Sequence, residues 1–424
     1  MTAGISGTAT ADDCGCTDYR VSRRSLLRGA AGFAGAAVAT SLVGDVFTQT
    51  AYGNVVGGNV LVVVSLRGGA DGLSLVVPHG DPAYAAARPN IGVPTSSLLA
   101  KDPMFGLHPA FAPLVPMWSA GTFGAVHAVG LPQPNRSHFA AMEEVEDADP
   151  GSAERRGWIN RMVGLMGPAD PVRGMQLGGG VVPTSLYGEQ PTVSLRNYKD
   201  LTLPGATGSW AAPTRQSLST AWDGVDNALG RGAVSALDVT QRLAPLSGTS
   251  PPANGARYPL TSLGQALGET ARTIRADLGA RLIAVDCGAW DHHTGLGTVQ
   301  AGLLRNNAND LAQSLAGFFT DLGTTADRVT VLTISEFGRR VEENGGNGLD
   351  HGYGNCMLAL GAGVRGGRYL AQWPGLADGN LVQGDLAVTT DYRSVLSETL
   401  VARFPEVSVP QVLPGFTPAA VGLF

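Results

Sequence analysis

Carboxylate and imidazole side chains crowd the stretch from Ala280 to Gly295, which reads ARLIAVDCGAWDHHTG. Its apolar beginning, Leu282 to Val285, is typical of a strand that is buried on both faces of a sheet. Asp286, Asp291 and His293 follow, and groups this close repel one another or titrate unless a cation joins them. The stretch therefore predicts a metal site. The structural alternative is that one Asp caps the next helix while the two histidines form a solvated turn.

A further candidate carboxylate follows the strongest apolar run in the chain. Asn59 to Leu66, NVLVVVSL, predicts a strand at the centre of the sheet. It leads into Arg67 and a glycine-rich turn that carries Asp71. Glycine lets the backbone approach a ligand closely, and ligands of open α/β sheets gather at the carboxyl ends of strands. The alternative is that Asp71 serves only the turn.

Acidic groups flank two more predicted strands. Val329 to Ile334 is a buried run that ends at Glu336, and Asp350 precedes the run from Cys356 to Leu360. Four separate loops should therefore meet at one edge of the sheet. Oxygen and nitrogen ligands without thiolates suit one or two divalent ions, Zn, Mn, Mg or Ca. The predicted metal ligands are Asp71, Asp286, Asp291, His293, Glu336, Asp350 and His351.

A candidate nucleophile lies after the strand predicted from Phe123 to Val129. Ser137 stands at or near the N-cap of a helix that runs through Glu146, where its hydroxyl can satisfy free backbone amides. A helix N-terminus also favours bound anions. Capping alone explains the serine, but it does not explain Arg136 and His138 on either side of it.

The elements that must position these groups alternate between strands and helices, which indicates an α/β fold with a mostly parallel sheet between helices. Predicted helices run from Leu263 to Leu278, from Gln300 to Asp321 and from Tyr392 to Phe404. From Pro168 to about Tyr258 the pattern loosens into Gly, Pro, Thr and Ser, which predicts a loop-rich insertion or cap with one helix near Ala233 to Leu243.

Composition limits the class of protein. The chain has 424 residues, of which 44% are hydrophobic and 15% charged, so general disorder is excluded and one large or two ordinary domains are expected. A net charge of -6 without a basic patch argues against a nucleic-acid partner. Cys287 and Cys356 are compatible with a disulfide or with buried free thiols, and the free thiols are favoured.

The N-terminal residues predict export. Ser22 to Arg28, SRRSLLR, is a twin-arginine signature, and the apolar run from Gly29 to Gly44 is short of the ~20 residues that a membrane span needs. We expect residues 1–53 to be a signal peptide that the twin-arginine translocase reads. The mature chain, 54–424, would then be a single extracytoplasmic domain (periplasmic, cell-envelope or secreted) without a stable membrane span.

The order of these motifs resembles the alkaline phosphatase superfamily, which includes sulfatases and cofactor-independent phosphoglycerate mutases. Within it, RGGADGL, NRSHF, DHHTG, SEFGRR and DHGYGN resemble the uncharacterised, exported domain-of-unknown-function family 1501, over most of residues 58–420. The resemblance implies an alkaline-phosphatase-like sheet with Ser137 as nucleophile. It matches Asp71, Asp286 or Asp291 with His293, Glu336 and His351 to the superfamily's metal ligands. Phe337 departs from this pattern, because it stands where a second metal expects His, and Asp350 could compensate.

The implied chemistry is hydrolysis of a phosphate or sulfate ester. Divalent ions would polarise the ester and lower the pKa of Ser137 or of a bound water. Arg136 or Arg67 would neutralise charge on the transferred group, beside His138. The alternative is an exported binding protein with a metal-stabilised fold and no turnover.

Overall fold

The strand predicted to lie at the centre of the sheet does so. In the computed structural model, which describes residues 57–179, 181–203, 205–206 and 208–424, β1 runs over Val60–Leu66 and is buried along its whole length. Val60, Val62 and Val64 join one hydrophobic core and Leu61 and Val63 join another. Because successive side chains of a strand point to opposite faces, the sheet has an apolar core on each side. The predicted signal peptide lies outside the described residues.

One large mixed sheet organises the described residues. The strands are β1 (Val60–Leu66), β2 (Val76–Val77), β3 (Gly106–Leu107), β4 (Phe123–Gly130), β5 (Gly174–Leu177), β6 (Val193–Leu195), β7 (Leu282–Cys287), β8 (Val329–Ile334), β9 (Asn355–Gly361), β10 (Tyr369–Leu370) and β11 (Thr390–Asp391). The main sheet has the order β10-β4-β9-β8-β1-β7-β5-β6, with β11 beside β4, while β2 and β3 pair separately. Its pairings are parallel except those that β9 makes with β4 and β8.

Helices cover both faces of this sheet. They are α1 (Gly72–Leu75), α2 (Pro82–Ala87), α3 (Val115–Ser119), α4 (His138–Asp147), α5 (Trp158–Leu165), α6 (Ala211–Trp222), α7 (Ala228–Arg242), α8 (Ser262–Ala276), α9 (Leu303–Leu322), α10 (Tyr392–Arg403) and α11 (Val409–Val412). Apolar residues of α8 and α9 pack in one core, and those of α4, α5 and α10 in the other. The structure thus confirms the mixed α/β class with a large, mostly parallel sheet.

Strand direction brings the candidate loops to one edge. In β1, Ser65 pairs with Asp286 of β7 and with Ile334 of β8, and these three strands are parallel. Their carboxyl ends therefore lie side by side. Because β9 is antiparallel to its neighbours, its first residue, Asn355, lies at this same edge, as does the end of β4 at Gly130.

The segment predicted as an insertion is in part an extension of the sheet. β5 pairs with β7 and β6 pairs with β5, both in parallel, so residues 168–258 supply two strands of the main sheet. These strands have four and three residues, too short to show a periodic pattern. The predicted helix near Ala233 to Leu243 is present as α7, but α6 was missed.

Among the described residues, no helix is both long and apolar enough to cross a bilayer. The two cysteines in this part of the chain, Cys287 and Cys356, are buried and free. The favoured prediction of free thiols is confirmed, and burial raises the pKa of each thiol to about 12. Thiols with a pKa this high are poor nucleophiles at neutral pH.

Candidate metal centre at the sheet edge

One carboxylate oxygen is the meeting point of the site. Oδ1 of Asp291 lies 3.0 Å from Nε2 of His293 and 3.3 Å from Nε2 of His351. Nε2 of His138 is 3.6 Å from the same oxygen, and Nη2 of Arg339 donates a hydrogen bond to it at 2.6 Å. Ligand atoms of His138, Asp291 and His351 all lie within 4.8 Å of one another. The aspartate and the three histidines come from three loops, because Asp291 and His293 share the loop after β7.

The far side of each imidazole is held by an acceptor. The contacts of Nδ1 are those of His138 with the Glu336 carboxylate at 2.9 Å, His293 with the Asp350 carboxylate at 3.0 Å, and His351 with the carbonyl of Arg136 at 2.8 Å. In a neutral imidazole, an acceptor at Nδ1 fixes the proton on that nitrogen, so Nε2 carries a lone pair. In this neutral form the three imidazoles turn their lone pairs toward one carboxylate.

With neutral imidazoles, no positive charge lies between the converging nitrogen atoms. Nε2 of His293 and Nε2 of His351 are only 2.9 Å apart, and Nε2 of His138 is buried without a hydrogen-bond partner. Lone pairs that face each other at this distance repel, and a buried unpaired acceptor is destabilising. A cation between the nitrogen atoms removes both penalties. Neutral imidazoles with an acceptor behind them are how proteins present histidine to a metal.

Burial and charge keep two of these groups in the protonation state that a metal requires. Burial acts to raise the pKa of Asp291, but the hydrogen bond and charge of Arg339 outweigh it and lower this pKa to about 2. Burial lowers the pKa of His351, against the opposing effect of the Arg136 carbonyl. The carboxylate therefore stays ionised and His351 stays neutral at physiological pH, and metal ligands must be deprotonated.

Arg339 ties the loops of the site together. Its side chain is 1% exposed and donates to the carbonyl groups of Gly69 at 2.6 Å and Leu349 at 2.9 Å as well as to Asp291. A fork of fixed donors suits such a junction. This role was not predicted from the sequence, where the only signal was an arginine five residues after the end of the strand predicted from Val329 to Ile334.

A close backbone approach explains the glycine after β1. Gly68 has φ of +112°, and a Cβ placed on it would lie 2.6 Å from the backbone nitrogen of Asp291. A larger residue would push the loop that carries Asp291 away. The Gly68 N–H also donates to Oε1 of Glu336 at 2.7 Å, so this loop helps to orient the carboxylate behind His138.

Two predicted ligands are engaged elsewhere. Asp71 is buried in a bidentate ion pair with Arg88, whose charge lowers the pKa of Asp71 against the effect of burial. Asp286 accepts from Arg67 at 2.8 Å and from Gln176 at 3.0 Å. The oxygen atoms of Asp71 and Asp286 thus already have buried or partly buried partners, and their assignment as metal ligands stays a prediction.

Two other predicted ligands contact the histidines of the site on the side away from the candidate metal position. Glu336 and Asp350 contact the Nδ1 atoms of His138 and His293. The hydrogen bond from His293 lowers the pKa of Asp350, which keeps that acceptor charged. Each orients an imidazole, and of the predicted ligand set only Asp291, His293 and His351 present atoms to the common centre. His138, predicted as a catalytic neighbour of Ser137, presents the fourth.

The other predicted catalytic residues, Ser137, Arg136 and Arg67, differ in exposure and in their ion-pair partners. Ser137 is the exposed N-cap of α4, but its side chain makes no capping hydrogen bond. Arg136 is paired with Asp385 and reaches the site only through its backbone carbonyl. Arg67 bridges Asp286 at 2.8 Å and Glu146 at 2.7 Å.

An open cavity of about 690 Å³ adjoins the cluster. Its polar end includes His138, Asp291 and Glu336, and Arg67 lies in its lining. Volumes of this order are typical of sites for small molecules. The cavity gives a ligand access to the side chains that surround the candidate metal position.

Fold and site together define a mixed α/β protein with a candidate metal centre at the carboxyl edge of its sheet. Residues 234–400 match the family described as "Protein of unknown function (DUF1501)". Over these residues the predicted resemblance to family 1501 is confirmed, and they include Asp291, His293 and His351. No curated protein matches the chain.

Proposed function

We propose that the protein is a metal-dependent hydrolase of phosphate or sulfate esters, with one divalent ion held by His138, Asp291, His293 and His351. One observation carries this proposal. The Nε2 atoms of the three histidines turn toward Oδ1 of Asp291, while an acceptor holds each Nδ1. A protein that needed only a rigid loop junction would gain nothing from facing lone pairs.

The donor set favours a transition metal or zinc. Three imidazole nitrogens and one carboxylate oxygen suit Zn²⁺ and related ions, whereas Ca²⁺ and Mg²⁺ prefer oxygen ligands. Of the four metals predicted, Zn and Mn therefore fit this donor set better than Mg and Ca. A single ion fits better than two, because Asp71 and Asp286 are engaged by other side chains.

The ester class rests on the resemblance in motif order to the alkaline phosphatase superfamily, and the chemistry of the site is compatible with it. A divalent ion bound here would polarise the ester oxygen and lower the pKa of the attacking hydroxyl group. Ser137 is the protein's candidate for that hydroxyl, since it precedes His138 and has no capping bond. Arg67 lines the cavity and can donate to an anionic oxygen.

Elemental analysis of the purified protein, beside hydrolysis of a panel of phosphate, sulfate and carboxylate esters, tests the proposal. We expect about one equivalent of metal per chain and turnover of phosphate or sulfate esters that stops on chelation and returns with Zn²⁺ or Mn²⁺. Metal without turnover of any ester would favour the alternative, a metal-stabilised binding protein. Turnover that survives complete removal of metal would refute the mechanism.

Export by the twin-arginine translocase is part of the proposal and has its own test. The motif at Arg23 and Arg24 is the basis for it. We expect Arg23→Lys combined with Arg24→Lys to leave the precursor in the cytoplasm with its fold intact, as judged by fractionation. Normal export of this double variant would show that the leader has been misread.

A further inference from the structure

We propose that the ester carries an apolar, uncharged alcohol group, aryl or alkyl, which sits in the cavity between α4 and residues 181–187. This inference rests on the proposed hydrolase function, because the bond to be cleaved must then reach His138 and Asp291 at the polar end of the cavity. The class of leaving group follows from the walls and the charges of the cavity.

Apolar side chains of two elements line the cavity. Phe139 and Met142 belong to α4, and Val181, Val182 and Tyr187 belong to residues 181–187. The ester group must bind at the end where His138 and Asp291 lie. A substrate with a polar end and an apolar body matches this arrangement.

Three of these side chains are exposed to an unusual degree. Phe139 is 86% exposed, Val181 77% and Tyr187 41%, and all three line the same cavity. A single exposed apolar residue is ordinary on a protein surface, whereas several around one cavity mark a site that an apolar ligand covers. Leu260 and Val401 are also exposed, but neither lines this cavity.

The charges of the cavity disfavour a polyanionic leaving group. Its lining holds two arginines, Arg67 and Arg155, and five carboxylates, which gives a formal charge of -3 that a divalent ion would reduce to -1. Both arginines are already paired, Arg67 with Asp286 and Glu146, and Arg155 with Glu143 at 2.8 Å. A nucleotide or a phosphorylated sugar would meet net repulsion here, and a neutral apolar group would not.

The size of the cavity also fits this class. A volume of about 690 Å³ exceeds what a phosphate or sulfate group needs, so most of it is left for the alcohol. Pockets of this size hold drug-sized molecules and bind them mainly through apolar contact.

The test compares two esters of the same acid on the metal-loaded full chain. One is the 1-naphthyl ester and the other is the glycerol ester, with phosphate or sulfate chosen from the panel above. We expect kcat/KM for the naphthyl ester to exceed that for the glycerol ester and to fall about tenfold or more in Phe139→Ser and in Val181→Ser. A tenfold loss corresponds to about 1.4 kcal/mol of lost contact. The loss should appear in KM, and the glycerol ester should be affected little.

Matched controls exist at exposed apolar positions outside the cavity. Leu260→Ser is the control for Phe139→Ser, and Val401→Ser is the control for Val181→Ser. Leu260 is more exposed than Phe139, and Val401 is nearly as exposed as Val181. Both controls should keep the parent kinetics for both esters. Equal turnover of the two esters, or unchanged kinetics in Phe139→Ser and Val181→Ser, would overturn the inference and leave the hydrolase function standing.

A binding measurement separates the two failures. Titration calorimetry with 1-naphthyl phosphonate, which cannot be hydrolysed, reports the cavity without turnover. Binding that is lost in Phe139→Ser, in a protein that hydrolyses no ester, would refute the hydrolase function and support the apolar ligand class. Absence of binding in a protein that hydrolyses the glycerol ester would refute the ligand class alone.

Discussion

At the scale of single residues, the Asp291 carboxylate and the imidazoles around it form a site to which a cation would add the missing positive charge. Arg339 holds the carboxylate ionised, yet it contacts only Oδ1 from the side of the buried loops. Nε2 of His293 and His351 approach the same oxygen. In the neutral imidazoles these nitrogens carry lone pairs, because the Nδ1 atoms donate to other groups, and Arg339 does not relieve their mutual repulsion.

A double-mutant cycle on His293 and His351 tests whether they share one ion. We expect His293→Ala and His351→Ala each to lose bound metal, since removing one of about four ligands opens the coordination sphere. The second substitution should then cost far less stability than it does alone, because the interaction it would break is already gone. Metal content by elemental analysis and urea unfolding measure the two effects.

His79→Ala is the control for this cycle. His79 bonds to the carbonyl groups of Asp102 and Phe105, in a loop away from the cluster. Its removal should leave the metal content unchanged. If His293→Ala and His351→Ala lower stability independently and retain metal, the two histidines belong to unrelated loops and the metal centre does not exist.

Ser137 allows a separation of chemistry from capping. Because its side chain makes no capping hydrogen bond, Ser137→Ala should leave the free energy of unfolding and the metal content unchanged while it abolishes ester hydrolysis. Asn227→Ala is the matched comparison, since Asn227 caps α7 by accepting from the backbone of Gly230 and its loss should cost about 1 kcal/mol. Full activity of Ser137→Ala would mean that water, and not this serine, is the nucleophile.

At the scale of elements, the sheet was largely predictable because its central strands are long apolar runs. β1, β4, β7, β8 and β9 were all expected within two residues of their bounds, and their carboxyl-edge loops were expected to meet. Continuous apolar runs can form only buried strands or buried helices, and their length and β-branched content decide between the two. β5 and β6 were not predicted, because strands of four and three residues are too short to show a periodic pattern of apolar residues.

The partners of individual carboxylates were not predictable from the same patterns. Asp71 and Asp291 both follow strands at the same edge, yet Asp71 meets Arg88 and Asp291 meets three histidines. This difference depends on side-chain contacts between loops remote in sequence. Position at a strand end indicates that a carboxylate lies near the edge, and it does not indicate which cation it meets.

The last residue of α4 gives a pH-dependent prediction at this scale. Burial raises the pKa of Asp147 to about 6, with Arg161 opposing and Glu143 adding to the rise. Its folded pKa is thus above its unfolded value near 4, so its contribution to stability is complete below about pH 4 and is lost as the pH rises through about 6. The negative end of the helix dipole also disfavours charge at this position.

Asp147→Asn should therefore stabilise the protein above pH 6 and leave it nearly unchanged at pH 4. Thermal unfolding measured from pH 4 to pH 8 would show the melting temperature of the variant rising above that of the parent across this window, by a few degrees. Asp378→Asn, at an exposed aspartate, should follow the parent throughout. A parallel pair of curves for Asp147→Asn and the parent would contradict the buried charge.

At the scale of the whole molecule, the candidate centre joins parts of the chain that are remote from one another in sequence. His138 follows β4, Asp291 and His293 follow β7, and His351 precedes β9. An ion bound by all four would close long loops and would bind the folded state only. Its effect on stability should therefore be felt by the entire sheet and not by one loop.

Removal of metal should lower the stability of the entire described domain in a single transition. By mass action, an ion at a hundredfold excess over its dissociation constant stabilises the folded state by about 2.7 kcal/mol. We expect chelation to lower the urea midpoint and added Zn²⁺ or Mn²⁺ to restore it, with Ca²⁺ and Mg²⁺ much less effective because the ligands are mainly imidazoles. In His293→Ala the midpoint should be insensitive to all four ions, whereas His79→Ala should respond like the parent. If no divalent ion moves the midpoint of the parent protein, the three histidines bind no metal. Protonation would then have to hold their arrangement, and acidification would strengthen it instead of weakening it.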